Sequence, residues 1–84
     1  MNRYISLNEL KVGQKAYVAK LNNKGEIRRR LLDIGLIANT PVECVGQSPL
    51  GDPCAYLIRG AVIAIRRNDS QNILMKLCKV GDNN

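Results

Sequence analysis

The apolar positions of this chain come in short runs whose period changes several times along its length. In "QKAYVAKL" (14–21) they alternate, with Ala16, Val18 and Lys20 on one face and Tyr17, Ala19 and Leu21 on the other, which predicts a strand. In "EIRRRLLDIG" (26–35) the period becomes helical. Ile27, Leu31 and Ile34 recur at i, i+4 and i+7, Leu32 widens the stripe, and the arginines fall mostly on the other faces. Gly35 stands where a left-handed residue closes a helix. Asn39 tolerates the same backbone, and Pro41 opens a strand, a position proline accepts. "VECVGQ", "AYLIRG" and "AVIAIRR" read as three further strands, the last two joined by a tight reversal at Arg59–Gly60–Ala61.

The ends complete the pattern. "SLNE" matches a capping box, Ser6 with Glu9, over one short helical turn that Leu7 and Leu10 dock and Gly13 ends. "NDSQNI" (68–73) reads as a single helical turn capped by Asn68 or Asp69, and "LMKLCKV" (74–80) as a closing strand. About five short strands with one inserted α-helix and short helical turns predict a mainly β fold, a small and strongly bent SH3-like barrel. It is expected to form a single domain over residues 1–80, with the polar "GDNN" (81–84) as a frayed tail.

Composition narrows what such a domain does. Phe and Trp are absent, so the core of this 84-residue chain is built from Leu, Ile, Val, Ala and Cys, with no room for a deep internal cavity. Cys44, Cys54 and Cys78 are odd in number and lack CxxC spacing, which reads as three reduced, buried thiols rather than a disulfide scaffold or a structural metal site. The longest apolar run, "AVIAI" (61–65), is far short of the roughly 20 residues of a membrane span. The opening "MNRYISLNELK" lacks a signal peptide's apolar stretch, so a cytoplasmic protein is expected.

Histidine is absent, which removes the one side chain that titrates unaided near neutrality. A carboxylate or lysine base would need its pKa moved by about two to three units, and a core this small offers little burial to do it. No GxSxG, GxxxxGK[ST] or GxGxxG motif occurs. No catalytic residue, metal ligand set or cofactor is expected, and the chain reads as a non-enzyme.

Thirteen basic against seven acidic residues leave a net charge of +6, concentrated at Arg28, Arg29 and Arg30 and again at Arg66–Arg67. Such a balance attracts nucleic acid, the anionic face of a membrane, or an acidic protein surface. Tyr4, Tyr17 and Tyr56 are the only aromatic residues and none lies near the arginine run, so nucleic acid is not an expected partner. Weak association with the inner membrane surface is expected, at about 1 kcal/mol per well-placed basic residue.

"SPLGDPC" (48–54) packs Pro49, Gly51, Asp52 and Pro53 around Leu50. Proline presets φ, glycine supplies a positive φ and aspartate bonds its own backbone, which makes a stiff turn. It reads as a hairpin tip, and a leucine held outward on a rigid tip is also a good contact for another protein.

The segment "RRRLLDIGLIANTPVECVGQSPLGDPCAYLIRGAVIAIRRNDSQNI" resembles the FeoA family of small cytosolic accessory proteins of bacterial ferrous-iron uptake. The resemblance rests on "LLDIGL", "PLGDP", the "RG" turn and "AIRRNDSQNI", and runs from about Leu7 to Val80. Ala38–Asn39 and Ser70 depart from the Pro-Gly and Ala that the family often carries. What the resemblance implies is an SH3-like barrel and a non-enzymatic partner of FeoB, the ferrous-iron transporter with a cytosolic GTPase domain. Contact is then expected through Pro49, Leu50, Gly51, Asp52 and Pro53, joined by Arg28, Arg29 and Arg30. Iron would be the transporter's cargo. A direct transition-metal-binding or iron-sensing role is the alternative, and an exposed sheet edge leaves a homo-oligomer open.

Overall fold

A computed structural model describes residues 2–78. The expected tail at 81–84, the end of the 74–80 strand and the side chain of Cys78, read above as a reduced thiol, lie outside the described residues. The strands are β1 (Asn2–Ser6), β2 (Lys15–Leu21), β3 (Pro41–Gln47), β4 (Cys54–Ile58), β5 (Ala61–Ile65) and β6 (Ile73–Cys78). Helix α1 (Gly25–Asp33) is inserted between β2 and β3. A short α2 (Arg67–Ser70) precedes β6, and a 3-10 turn (Leu7–Glu9) follows β1. All strand pairs are antiparallel, in the order β1-β6-β2-β3-β4-β5.

The mainly β architecture with one inserted helix is the one the pattern predicts, with three corrections. The first is a sixth strand. In β1, Arg3 and Tyr4 are exposed and Ile5 and Ser6 are half-buried, so no alternation marks it. Its ladder with β6, from Asn2 opposite Cys78 to Ser6 opposite Leu74, holds it instead. The second is closure: among the described residues no ladder joins β5 to β1, so the bent sheet stays open and keeps two edges.

The third concerns the faces of β2. Ala16 and Val18 point into the core, but the register with β6 shifts between Val18 and Lys20. One extra residue in a strand turns every later side chain over. Leu21 is therefore buried and Lys20 exposed, the reverse of strict alternation.

Helix α1 ends as its sequence predicts. Gly35 has φ 106°, and the Leu36 N–H returns to the Leu31 carbonyl at 3.0 Å, so Leu36 drops into the core just past the helix. A Cβ at Gly35 would also run into the side chain of Arg59, whose Nε donates to the Gly35 carbonyl at 3.4 Å. Backbone conformation and close approach both demand glycine there. The Glu9 carboxylate accepts the Ser6 N–H at 2.8 Å, the half of the capping box that starts the 3-10 turn. Leu7, Val18, Leu36, Ile58, Ile73 and Met75 fill the core from both ends of the chain, with Tyr56 as its one buried aromatic.

Candidate partner-binding surface

The loop between β3 and β4 is held by its own backbone. The Gly51 N–H donates to the Ser48 carbonyl at 2.8 Å and the Ser48 N–H to the Pro53 carbonyl at 3.1 Å. Gly51 takes the positive φ that the turn requires, 89°, and the Asp52–Pro53 peptide is cis. The Cys54 thiol donates to the Gly51 carbonyl at 3.6 Å. Leu50 stands at the tip with 94% of its surface exposed.

A further bond ties the loop to the rest of the domain. Asp52 Oδ1 accepts the N–H of Arg67, the first residue of α2, at 2.8 Å. This corrects the expectation that Asn68 or Asp69 caps that turn: its N-cap position is Arg66, and the capping carboxylate arrives from 15 residues upstream. An acidic group at a helix start satisfies an orphan N–H and meets the positive end of the backbone dipoles. Asp52→Ala is expected to lower stability by about 1 kcal/mol, or roughly 4–8 °C in Tm for a domain of this size. Asp52→Asn should retain most of it. Thermal unfolding of the two variants checks this, and an unchanged Tm in Asp52→Ala would show that the carboxylate holds nothing.

The helix arginines do not all border one surface hollow. Arg28 reaches back so that Nη1 donates to the Leu21 carbonyl at 2.8 Å, and it lines a surface hollow with Leu32 and Ile37. Arg30 lies on the flank facing β5, beside Arg66. Arg29 is exposed. All three arginines predicted to meet a partner are exposed, but Arg28 is also bonded within the chain and Arg30 borders a different hollow from it. Sequence reasoning missed the groove beside Arg30, because nothing in the apolar run of β5 tells an edge strand from an inner one.

Cys44 and Cys54 are both free and sit on the inward side of β3 and β4. Cys44 is buried, opposite Tyr56, and burial pushes its thiol above the ordinary value of 9.0. Cys54, expected in the core, is only half-buried and borders a hollow of about 430 Å³ with Glu9, Lys11 and Gln47. Among the described residues no cluster of three or more His, Cys, Asp or Glu side chains converges as metal ligands. In native protein, iodoacetamide is expected to alkylate Cys54 well before Cys44, and both at once in urea. Peptide mapping reads the order; equal, fast native labelling would place Cys44 outside the core.

The sequence matches the FeoA domain family over residues 5–77. The chain belongs to the FeoA family. A relative from Porphyromonas gingivalis, the Fe(2+) transport protein A/Fe(2+) transporter FeoB fusion protein, is 31% identical over 84% of this chain. The chain spans only 8% of that protein's length. The solution structure of a FeoA-like protein from Clostridium acetobutylicum superposes with a TM-score of 0.83 at 29% identity, covering 94% of this chain and 92% of the other. Stenotrophomonas maltophilia FeoA, solved with zinc and described as an SH3 domain protein, has a TM-score of 0.76 over 84% and 88% of the two chains. At 23% identity that likeness carries the fold alone, and it makes the open, bent sheet of this FeoA-family chain SH3-like. No helix among its described residues is long and apolar enough to cross a membrane.

Proposed function

We propose that the chain is a non-enzymatic accessory protein of ferrous-iron uptake that binds the cytosolic, GTPase-containing part of a FeoB-type transporter. The observation that carries this reading is Leu50: a large apolar side chain almost wholly exposed on a loop pinned by backbone bonds and by Asp52. Such a tip loses little conformational entropy when it docks, which leaves more of its burial energy as affinity. Arg29 and Arg30 supply longer-range attraction to an acidic surface.

The fused relative supports the choice of partner. Two modules on one chain meet at an effective concentration in the millimolar range for short linkers, whereas separate chains must associate through their own surfaces. The positive charge also favours the anionic inner face of the membrane, where a cytoplasmic FeoA would encounter the transporter.

Titration of the soluble cytosolic region of FeoB with this chain, anaerobically and with ferrous ion present or absent, tests the reading. Saturable binding is the expected result. No binding in either condition, with tight ferrous binding by this chain alone, would turn the function toward metal sensing.

A further inference from the structure

Helix α1 does not close onto the outermost strand. Between them lies a groove of about 280 Å³, lined by Ile27, Arg30 and Ile34 on the helix side and by Ile63, Arg66 and Asp69 on the other. Asp69 is the one carboxylate among these residues. The strand beside the groove, β5, is laddered on one side only, from Ala61 opposite Ile58 to Ile65 opposite Cys54.

The turn fixes which of its backbone groups are free. Arg59 and Gly60 both have positive φ, 50° and 85°, as a two-residue hairpin turn of the primed type requires. Ile58 and Ala61 are then a hydrogen-bonded pair. Bonding alternates along an antiparallel ladder, so Ala61, Ile63 and Ile65 bond to β4 while Val62 and Ala64 direct N–H and C=O out of the sheet. Among the described residues no other segment bonds to those groups. The Val62 side chain is 64% exposed.

We infer that the β5 edge docks an extended, acidic segment of another protein, which adds to the sheet as a further strand. Its backbone bonds to Val62 and Ala64, its inward side chains enter the groove beside Ile27 and Ile34, and its carboxylates meet Arg30 and Arg66. Backbone pairing supplies affinity in such a complex, and the pocketed and charged side chains supply selectivity. The inference does not depend on the transporter reading.

Charge decides between this occupant and a second copy of the chain. Self-pairing along β5 (Ala61–Ile65) would bring the arginines that flank the strand, Arg59 before it and Arg66 and Arg67 after it, from two copies to one seam. Like charges crowded at one seam repel and disfavour that pairing. An acidic strand reverses the sign of that term in a chain with net charge +6.

The test uses the full chain, 15N-labelled, and an acetylated Glu/Val peptide whose alternate, groove-facing residues are valine flanked by glutamate, with threonine between them. Saturable amide shifts along 61–66 and the groove side of α1 are expected, with exchange of the Val62 and Ala64 amides slowed at least about tenfold. A peptide with lysine in place of glutamate should not bind. Methylating alternate backbone nitrogens of the Glu/Val peptide, on its pairing edge, should weaken it by about tenfold or more. Arg30→Glu, a surface change, should weaken it similarly. Ala64→Pro removes an outward N–H at an edge position where proline is tolerated, and should do the same. Undiminished binding of the methylated peptide would overturn the proposal in favour of charge alone. Shifts confined to other faces, or protection of the same amides by concentration-dependent dimerisation without peptide, would also overturn it.

Discussion

Leu50→Asp is expected to weaken binding to the cytosolic region of FeoB by about a hundredfold or more while leaving stability unchanged. The size follows from what the tip would do in a complex. A leucine that fills a partner pocket at the centre of an interface contributes as an anchor, and truncating such anchors costs about 2 kcal/mol or more. Placing a carboxylate there adds the cost of burying an unpaired charge, and about 2.8 kcal/mol is a hundredfold in affinity. The folded chain would not notice, because 94% of the Leu50 surface is already in water and the bonds that hold the loop are made by Ser48, Gly51, Asp52 and Pro53. Surface substitutions of this kind stay within about 0.5 kcal/mol. Calorimetric titration beside a thermal melt measures both halves. Unchanged affinity with an unchanged melt would reduce the loop to a hairpin tip.

How much of this surface was legible in the sequence follows the range of the interactions that make it. The stiffness of 48–54 and the outward Leu50 come from local φ preferences of Pro49 and Gly51, so the residues alone predict them. Helix α1 and its Gly35 end are local in the same way. The anchor of the loop is not: Asp52 reaches the first N–H of α2, and only the folded sheet brings the two together. Strand β1 was hidden because its support is a backbone ladder from the far end of the chain rather than an apolar face. The bulge in β2 was hidden because a one-residue shift against β6 leaves no compositional trace. The run Arg28–Arg30 read as one feature, yet helix geometry sends Arg28 to the Leu21 carbonyl and Arg30 to the opposite flank. Where the β5 edge is concerned, strand order is a property of the whole sheet, and no single strand carries it.

Tyr56→Ala is expected to cost about 3–5 kcal/mol, a large part of the roughly 5–15 kcal/mol that holds a small domain together. Tyr56 is 1% exposed and faces Cys44 across the β3–β4 ladder. Its hydroxyl donates to the Leu7 carbonyl at 3.4 Å, a long bond, so Tyr56→Phe should cost only about 1 kcal/mol. The two variants separate packing from the polar contact, and pH separates them further. Burial, with the two thiols adding to it, pushes the Tyr56 phenol well above its ordinary value of 10.0, and burial pushes the Cys44 thiol above 9.0. The unfolded chain releases these protons at the ordinary values, whereas the native chain retains them. Both groups therefore contribute their full stabilisation below those values, and it is lost as pH rises, first through the thiol range and then through the phenol range. Urea unfolding from neutral pH to about pH 11 should show a midpoint that falls with alkali in the wild-type chain. In Tyr56→Phe the part of the fall that begins near pH 10.0 should be missing, with the earlier part due to Cys44 retained. Parallel curves for the two proteins through that range would mean that the phenol ionises as freely in the native state as in the unfolded one. Its place in the core would then have to be abandoned.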